Sequence, residues 1–201
     1  MAVLVGRPAP DFTAAAVLGN GEIVDNFNLT EYLAGSAAVV FFYPLDFTFV
    51  CPSELIAFDH RVADFEAKGV KVIGVSIDSQ FTHNAWRNTD VADGGIGQVK
   101  YPLVADVKHE ICQAYDVEHP EAGVAFRGSF LIDTAGVVRH QVVNDLPLGR
   151  NIDEMLRMVD ALNFHEKNGE VCPAQWEDGK EGMDASPEGV AKYLSANAEG
   201  L

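Results

Sequence analysis

The residues of this chain best suited to covalent chemistry are its three cysteines, Cys51, Cys112 and Cys172. An odd cysteine count in a chain of 201 residues, 48% of them hydrophobic, does not indicate the disulfide framework that small domains with little core need. No C-x-x-C spacing occurs and the six histidines form no paired ligand motif, so neither a vicinal dithiol nor a metal site is expected. Thiol chemistry is the better hypothesis.

Cys51 stands directly before Pro52, and proline is favoured at the first position of a helix. A helix that starts at Pro52 places Cys51 at its N-cap. A thiolate there faces unpaired backbone N–H groups and the positive end of the helix dipole, which favours the ionised, nucleophilic sulfur. The alternative is that Cys51 is a small buried hydrophobic residue, as most free cysteines are.

The elements around Cys51 follow from the apolar pattern. Residues 37–43 are β-branched and aromatic and end at Pro44, which predicts a buried strand. After Pro52 the apolar residues recur at i, i+3, i+7 and i+10, at Leu55, Phe58, Val62 and Phe65. This spacing predicts one amphipathic helix that starts at Pro52 and ends at Gly69. Residues 70–77 read as a second buried strand, parallel to the first because a helix connects them.

The second half of the chain predicts a hairpin and then a long helix. Residues 129–133 and 137–143 are two β runs around a short turn, and the helix follows Asn151 and ends near Gly169. The order βαβ, intervening helix, ββα is that of a thioredoxin-like core. We therefore expect an α/β protein of thioredoxin-like fold with an N-terminal extension and a C-terminal arm.

Charge and hydropathy exclude several classes of partner. The net charge of −16 disfavours nucleic acid and anionic lipid surfaces. The longest apolar run, residues 37–43, is too short to cross a bilayer, and the first residues have no basic leader before an apolar core. A cytoplasmic protein is expected.

Residues Pro44 to Cys51 have the spacing P-x3-T-x2-C and resemble the active-site loop of peroxiredoxins. The resemblance covers nearly the whole chain. Within the family, the chain most resembles the typical two-cysteine branch, also called the alkyl hydroperoxide reductase C type. The matching segments are residues 6–12, 42–54, 94–97, 126–128 and 169–174.

The resemblance implies a role for each residue of a site. Cys51 is the nucleophile that attacks the peroxide, Thr48 positions the substrate and Arg127 carries positive charge beside the sulfur. Pro44 shields the site from water. Glu54 and Arg150 hold the site arginine and the loop in place.

The same resemblance assigns Cys172, in its V-C-P setting, as the thiol that resolves the oxidised Cys51 through an intersubunit disulfide. Gly94-Gly95-Ile96-Gly97 resembles the GGLG element of peroxiredoxins that excess peroxide inactivates. The companion Tyr-Phe pair is Tyr193-Leu194 here, so we expect intermediate sensitivity. Cys112 matches no catalytic position and is expected to be structural, in a short helix.

The resemblance divides the chain into a peroxidase domain, residues 1–164, and an arm, residues 165–201, that carries the resolving cysteine. The implied substrates are hydrogen peroxide and alkyl hydroperoxides, in antioxidant defence and cell redox homeostasis. The implied reductant is a dithiol protein, either thioredoxin or a flavoprotein alkyl hydroperoxide reductase. The implied assembly is a homodimer that forms a ring, a decamer, with no metal, haem or flavin in this chain.

Two alternatives remain at this point. A holdase chaperone fits the ring-shaped assemblies of the family, although no long apolar patch or basic tail can be read from the sequence. The second alternative is a one-cysteine peroxidase that uses an external thiol and would not need Cys172. The V-C-P setting of Cys172 argues against this alternative.

Overall fold

The computed structural model describes residues 3–201 and divides them into two compact units, one ending at Ile152 and one beginning at Asp153. The strands are β1 Thr13–Val17, β2 Ile23–Asn28, β3 Ala37–Phe42, β4 Val70–Ser76, β5 Leu103–Ala105, β6 Arg127–Ile132 and β7 Val138–Asn144. The α-helices are α1 Leu29–Leu33, α2 Cys51–Asp59, α3 Val62–Ala67, α4 Gln80–Arg87, α5 Glu110–Ala114, α6 Ile152–Asn168 and α7 Pro187–Asn197. Two 3₁₀ turns span Val91–Asp93 and Ala198–Gly200.

All seven strands form one mixed sheet in the order β2-β1-β5-β4-β3-β6-β7. Strand β3 has every residue buried and lies between β4, which is parallel to it, and β6, which is antiparallel. The predicted strand-helix-strand unit, the hairpin of β6 and β7, and the long helix α6 are all present. The α/β prediction is confirmed, and the hairpin of β1 and β2 with α1 forms the N-terminal extension.

Alternation along β3 divides its large side chains between the two faces of the sheet, because successive strand residues point to opposite sides. Phe41 stacks on Phe58 of α2 at 4.0 Å between ring centroids. Phe42 belongs to the core cluster of the other face, where it packs on Tyr115 and Phe130 at 5.0 and 5.8 Å. The Phe41 face therefore carries the helix that begins at Cys51.

The predicted single helix from Pro52 to Gly69 is wrong, because it is two helices with a break at His60 and Arg61. The Arg61 N–H bonds the Phe58 carbonyl, an i to i−3 contact that tightens the last turn of α2 and lets the chain change direction. Phe58 and Phe65 are both fully buried, so the apolar spacing continues through the break. Gly69 ends the second helix with φ +77°, a conformation that favours glycine.

The second unit begins within α6 and continues to the end of the chain. Val171 and Met183 exchange backbone hydrogen bonds, and Trp176 is buried against Phe164 at 4.8 Å between ring centroids. Helix α7 has no buried residue, and its Val190 and Leu194 are exposed. The division of the chain at residues 164 and 165 stays a prediction.

Within residues 3–201, each helix is too short or too polar to cross a lipid bilayer.

Candidate active site

Cys51 lies in the first turn of α2 and is completely buried. The structure corrects its predicted place by one position: the cap is Val50, Cys51 is the first helical residue and Pro52 follows it. The main chain of Val50 already has helical dihedral angles, φ −89° and ψ −34°, so the helix starts one residue before the proline. The sulfur still lies at the end of the helix where the dipole is positive.

The hydroxyl of Thr48 lies 3.0 Å from the Cys51 sulfur and 2.7 Å from the Leu45 carbonyl oxygen. A hydroxyl has one proton, so it donates to one of these two atoms at a time. A thiolate can only accept, which favours donation to the sulfur when Cys51 is ionised. Thr48 can then turn the same proton toward a substrate oxygen.

Arg127 is the first residue of β6, and its antiparallel pairing with β3 places it beside the loop that follows β3. Its Nη1 lies 3.3 Å from the Cys51 sulfur and donates to Glu54 Oε2 at 2.7 Å. Its Nε donates to the Leu146 carbonyl at 2.7 Å, which fixes the plane of the guanidinium. The side chain is only 4% exposed, so its charge acts on the sulfur with little screening by water.

Arg150 holds Glu54 from the other side with two parallel hydrogen bonds, from Nε to Oε1 at 2.8 Å and from Nη2 to Oε2 at 2.9 Å. The guanidinium carbon also lies over the rings of Phe41 and Phe58, at 5.3 and 5.8 Å from their centroids. Burial favours the neutral form of Glu54, but the hydrogen bonds and charge of Arg150, with the charge of Arg127, outweigh burial and hold its pKa below the ordinary value. Two buried cations and one buried anion leave one positive charge, which a thiolate at Cys51 balances.

Replacing Glu54 with glutamine is expected to lower the free energy of unfolding by about 3–5 kcal/mol, because it leaves two buried guanidinium groups without their anion. Because the folded pKa of Glu54 is depressed, its contribution is present above the pKa of the unfolded chain and is lost as the pH falls through the folded value. Urea unfolding at neutral and acidic pH measures this, with Glu66→Gln on the exposed surface of α3 as the control. Equal stability of the two variants at neutral pH would contradict the assigned charge balance.

Pro44 is buried and lies two residues after the end of β3, in the loop that carries Thr48. Its role as a shield against water stays a prediction.

Cys172 belongs to the second unit and is half-buried there. Its sulfur lies 3.4 Å from the Ala161 carbonyl oxygen. Burial raises its pKa, and the positive charge of Arg157 only partly offsets this. In this arrangement Cys172 keeps its proton at neutral pH.

The Gly94–Gly97 segment follows the 3₁₀ turn after α4. Gly94 has φ +86°, and its carbonyl accepts a hydrogen bond from the Trp86 ring nitrogen at 2.9 Å. A Cβ on Gly95 would lie 1.9 Å from the Thr89 carbonyl oxygen, so only glycine fits there. Tyr193, the proposed companion of this segment, is a half-buried residue of α7 in the other unit.

Cys112 is buried in α5, as predicted, and its sulfur donates to the His109 carbonyl at 3.3 Å. Burial and the nearby carboxylate of Asp106 raise its pKa far above the ordinary value, so the thiol is inert. Within residues 3–201, Cys112, His109 and Glu118 form the one group of three potential metal ligands. His109 and Glu118 already bond each other directly, so this proximity has an explanation without a metal.

Sequence reasoning missed a buried polar group next to the site. Tyr43, Asp46 and His83 are hydrogen-bonded to one another with negligible exposure, and Asp46 lies in the same loop as Thr48. Asp46 lies within the P-x3-T-x2-C motif, so the sequence could have indicated it as a residue of the site. His83 comes from α4, and nothing in the sequence pairs it with Asp46.

The AhpC/TSA family model matches residues 5–141, and the model for the C-terminal domain of 1-Cys peroxiredoxin matches residues 161–196. Alkyl hydroperoxide reductase C of Buchnera aphidicola subsp. Schizaphis graminum is 59% identical over 191 residues, 95% of this chain and 96% of that protein. Alkyl hydroperoxide reductase C of Helicobacter pylori is 59% identical over 196 residues, 98% of each chain. The reduced 2-Cys peroxiredoxin of Plasmodium vivax matches with a TM-score of 0.92 and 46% identity, over 96% of this chain and all of that one.

Proposed function

Because this chain belongs to the AhpC/TSA family, we propose that it is a thiol-dependent peroxidase that reduces hydrogen peroxide and small alkyl hydroperoxides. The observation that carries the proposal is the buried Cys51 sulfur, with the Thr48 hydroxyl at 3.0 Å and the Arg127 guanidinium at 3.3 Å. These two donors converge on the atom that has to attack.

The first step couples formation of an S–O bond to cleavage of the O–O bond. The Cys51 thiolate attacks one peroxide oxygen, and the other leaves with the bonding electron pair and takes a proton as water or an alcohol. Cys51 becomes a sulfenic acid. Arg127 and Thr48 stabilise the negative charge that moves onto the leaving oxygen, in a site from which water is excluded.

The second step uses Cys172 of another subunit. Its thiolate attacks the Cys51 sulfur, a disulfide forms and the sulfenic oxygen leaves as water. A dithiol protein then reduces the disulfide by thiol exchange, and thioredoxin and a flavoprotein alkyl hydroperoxide reductase are the two candidates. Cys172 is half-buried and protonated in this structure, so resolution requires it to leave its contact with Ala161.

One equivalent of hydrogen peroxide added to the reduced protein tests the two-cysteine chemistry. Non-reducing electrophoresis is expected to show a covalent dimer that a dithiol reverses and that Cys172→Ser does not form. A one-cysteine peroxidase is the second candidate, favoured by the name of the family model that matches residues 161–196. It would consume peroxide and leave the protein monomeric on the gel.

We expect an obligate dimer that assembles into a decameric ring. Strand β7 is the last strand of the sheet, and the N-terminal segment bonds its first residue, with the Gly6 N–H on the Val138 carbonyl and the Val138 N–H on the Arg7 carbonyl. A strand at the edge of a sheet is a template for pairing with a second chain. Exposed apolar side chains, of which Phe49 and Phe81 are the most exposed, provide a further contact surface. Light scattering in reducing buffer at micromolar concentration is expected to give at least a dimer, and a monomer would contradict this.

Inactivation by excess peroxide is expected to depend on α7. If α7 restrains the Cys51 segment, its removal speeds disulfide formation and leaves less time for a second peroxide to form sulfinic acid. A protein truncated after Ser186 should therefore form less Cys51 sulfinic acid than the full chain. Leu194→Phe should form more, because a second aromatic ring adds about 0.5–1.5 kcal/mol of contact.

Mass spectrometry of Cys51 after turnover with graded peroxide measures both effects. Equal sulfinic acid yields from the full-length and truncated proteins would show that α7 has no such role.

A cytoplasmic location of the protein stays a prediction.

A further inference from the structure

Three buried side chains form a hydrogen-bonded cluster beside the loop that carries Thr48. Tyr43 donates its hydroxyl proton to Asp46 Oδ1 at 2.8 Å, and His83 Nδ1 lies 2.7 Å from Asp46 Oδ2. The side chains of Asp46 and His83 are both 0% exposed. The peroxide chemistry described above uses none of these three groups.

The partners of His83 fix the number of protons in this cluster. His83 Nε2 faces the Val104 carbonyl oxygen at 3.2 Å, and a carbonyl can only accept, so Nε2 carries a proton. The Tyr43 proton is directed at Asp46, which leaves one proton to be shared between His83 Nδ1 and Asp46 Oδ2. A second carboxylate bonds the main chain of Asp46, because Asp78 accepts from the Asp46 backbone N–H at 2.8 Å.

The main chain connects this cluster to the nucleophile. Asp78 accepts from the Asp46 N–H, and this N–H and the Leu45 carbonyl belong to the same peptide unit. The Leu45 carbonyl oxygen lies 2.7 Å from the Thr48 hydroxyl and can accept its proton. The orientation of this peptide unit therefore influences how the one Thr48 proton divides between the Leu45 oxygen and the Cys51 sulfur, which lies 3.0 Å from the Thr48 oxygen. Asp46 is bonded through its main chain and its side chain, so it holds that orientation.

We propose that His83 and Asp46 are positioning residues for peroxide reduction, which hold the Leu45–Asp46 peptide so that the Thr48 hydroxyl stays directed at Cys51. This inference rests on the proposed peroxidase function. It predicts that His83 changes the rate of the first step although it is not one of the groups bonded to the sulfur. This effect is transmitted through Thr48.

Two substitutions of His83 provide a matched test, because the amide of asparagine lies near the place of Nδ1 and the amide of glutamine lies near the place of Nε2. His83→Asn keeps a donor for Asp46, whereas His83→Gln keeps only the contact with Val104. The rate constant for reaction of Cys51 with hydrogen peroxide, measured by stopped flow on protein with wild-type circular dichroism, is expected to be at least about tenfold lower for glutamine than for asparagine. Equal rate constants for the two variants would overturn the proposal.

A double-mutant cycle with Thr48→Val separates positioning from a general loss of packing. If His83 acts through Thr48, His83→Gln in the Thr48→Val protein should change the rate constant by about twofold or less. A full, multiplicative loss in that background would show that His83 acts by another route. Asn84→Ala, one residue further along α4, is the control for changes in that helix.

Asp46→Asn and Asp46→Leu give a second matched pair from the other end of the same hydrogen bond. Asparagine keeps an acceptor for Tyr43 and a donor for His83, so it should be the faster of the two, and the reverse order would contradict the proposal. This pair decides the question if the His83 variants do not fold. A wild-type protein that fails to react with peroxide would instead refute the proposed function, an outcome distinct from all of these.

Discussion

Replacing Cys51 with serine is expected to abolish peroxide turnover, whereas Cys172→Ser is expected to consume one equivalent of peroxide per subunit and then stop. Cleavage of the O–O bond requires only the first thiolate, and the second thiol is required only to return it to the reduced state. A serine hydroxyl at position 51 stays protonated at neutral pH, so the two donors at 3.0 and 3.3 Å have no anionic sulfur to direct. Peroxide consumption with a thiol reductant in excess measures the loss of turnover in Cys51→Ser, and consumption without added thiol measures the single equivalent expected of Cys172→Ser.

Cys112→Ala is the matched control for this pair. Its thiol is buried, bonded to the His109 carbonyl and held protonated, so its removal should leave the rate of peroxide consumption unchanged. Steady turnover by Cys51→Ser, or complete inactivity of Cys172→Ser in the first turnover, would contradict the assigned roles.

Arg127→Ala is expected to slow the reaction of Cys51 with peroxide by about 10²- to 10³-fold, the cost of removing one oxyanion donor. The same change removes a buried positive charge next to the sulfur and leaves Glu54 with Arg150 as its only cation in the site. We therefore expect slower alkylation of Cys51 by iodoacetamide as well, because that reaction also requires the thiolate. Stopped-flow measurement of both reactions separates the loss of thiolate from the loss of transition-state stabilisation.

Arg7→Ala, which removes an exposed arginine, is the control for net charge. Arg127→Lys keeps the charge but not the planar fork that bonds Glu54 and Leu146, so an intermediate rate constant is expected. Rate constants for Arg127→Ala equal to those of Arg7→Ala would remove Arg127 from the mechanism.

The central part of the fold could be predicted from the sequence because its strands are continuous apolar runs. Every residue of β3 is buried, and all but Lys71 of β4 are, so composition alone identified them. The break after α2 could not be predicted, because Phe58 and Phe65 keep helical spacing across it while the main chain turns at Arg61. The position of Cys51 was missed by one residue because Val50 adopts a helical conformation with no side-chain signal.

The candidate site divides in the same way between local and distant information. Thr48, Cys51 and Glu54 lie within one loop and one helical turn, so the short segment that carries the resemblance contains all three. Arg127 and Arg150 were assigned by resemblance, and their contacts with Glu54 span 73 and 96 residues of sequence. The bond between Asp46 and His83, across 37 residues, left no pattern at all, because a buried histidine on a short amphipathic helix reads as an ordinary core residue.

The most direct test of Cys51 as the nucleophile is to identify the atom that receives the peroxide oxygen. Cys172→Ser, treated with one equivalent of hydrogen peroxide and trapped at once with a reagent specific for sulfenic acid, is expected to carry the label on Cys51, with Cys112 unlabelled, when its peptides are analysed by mass spectrometry. The label should be lost when Cys51 is also replaced by serine. A label on Cys112, or peroxide consumption without any label on Cys51, would contradict the assignment of Cys51 as the nucleophile.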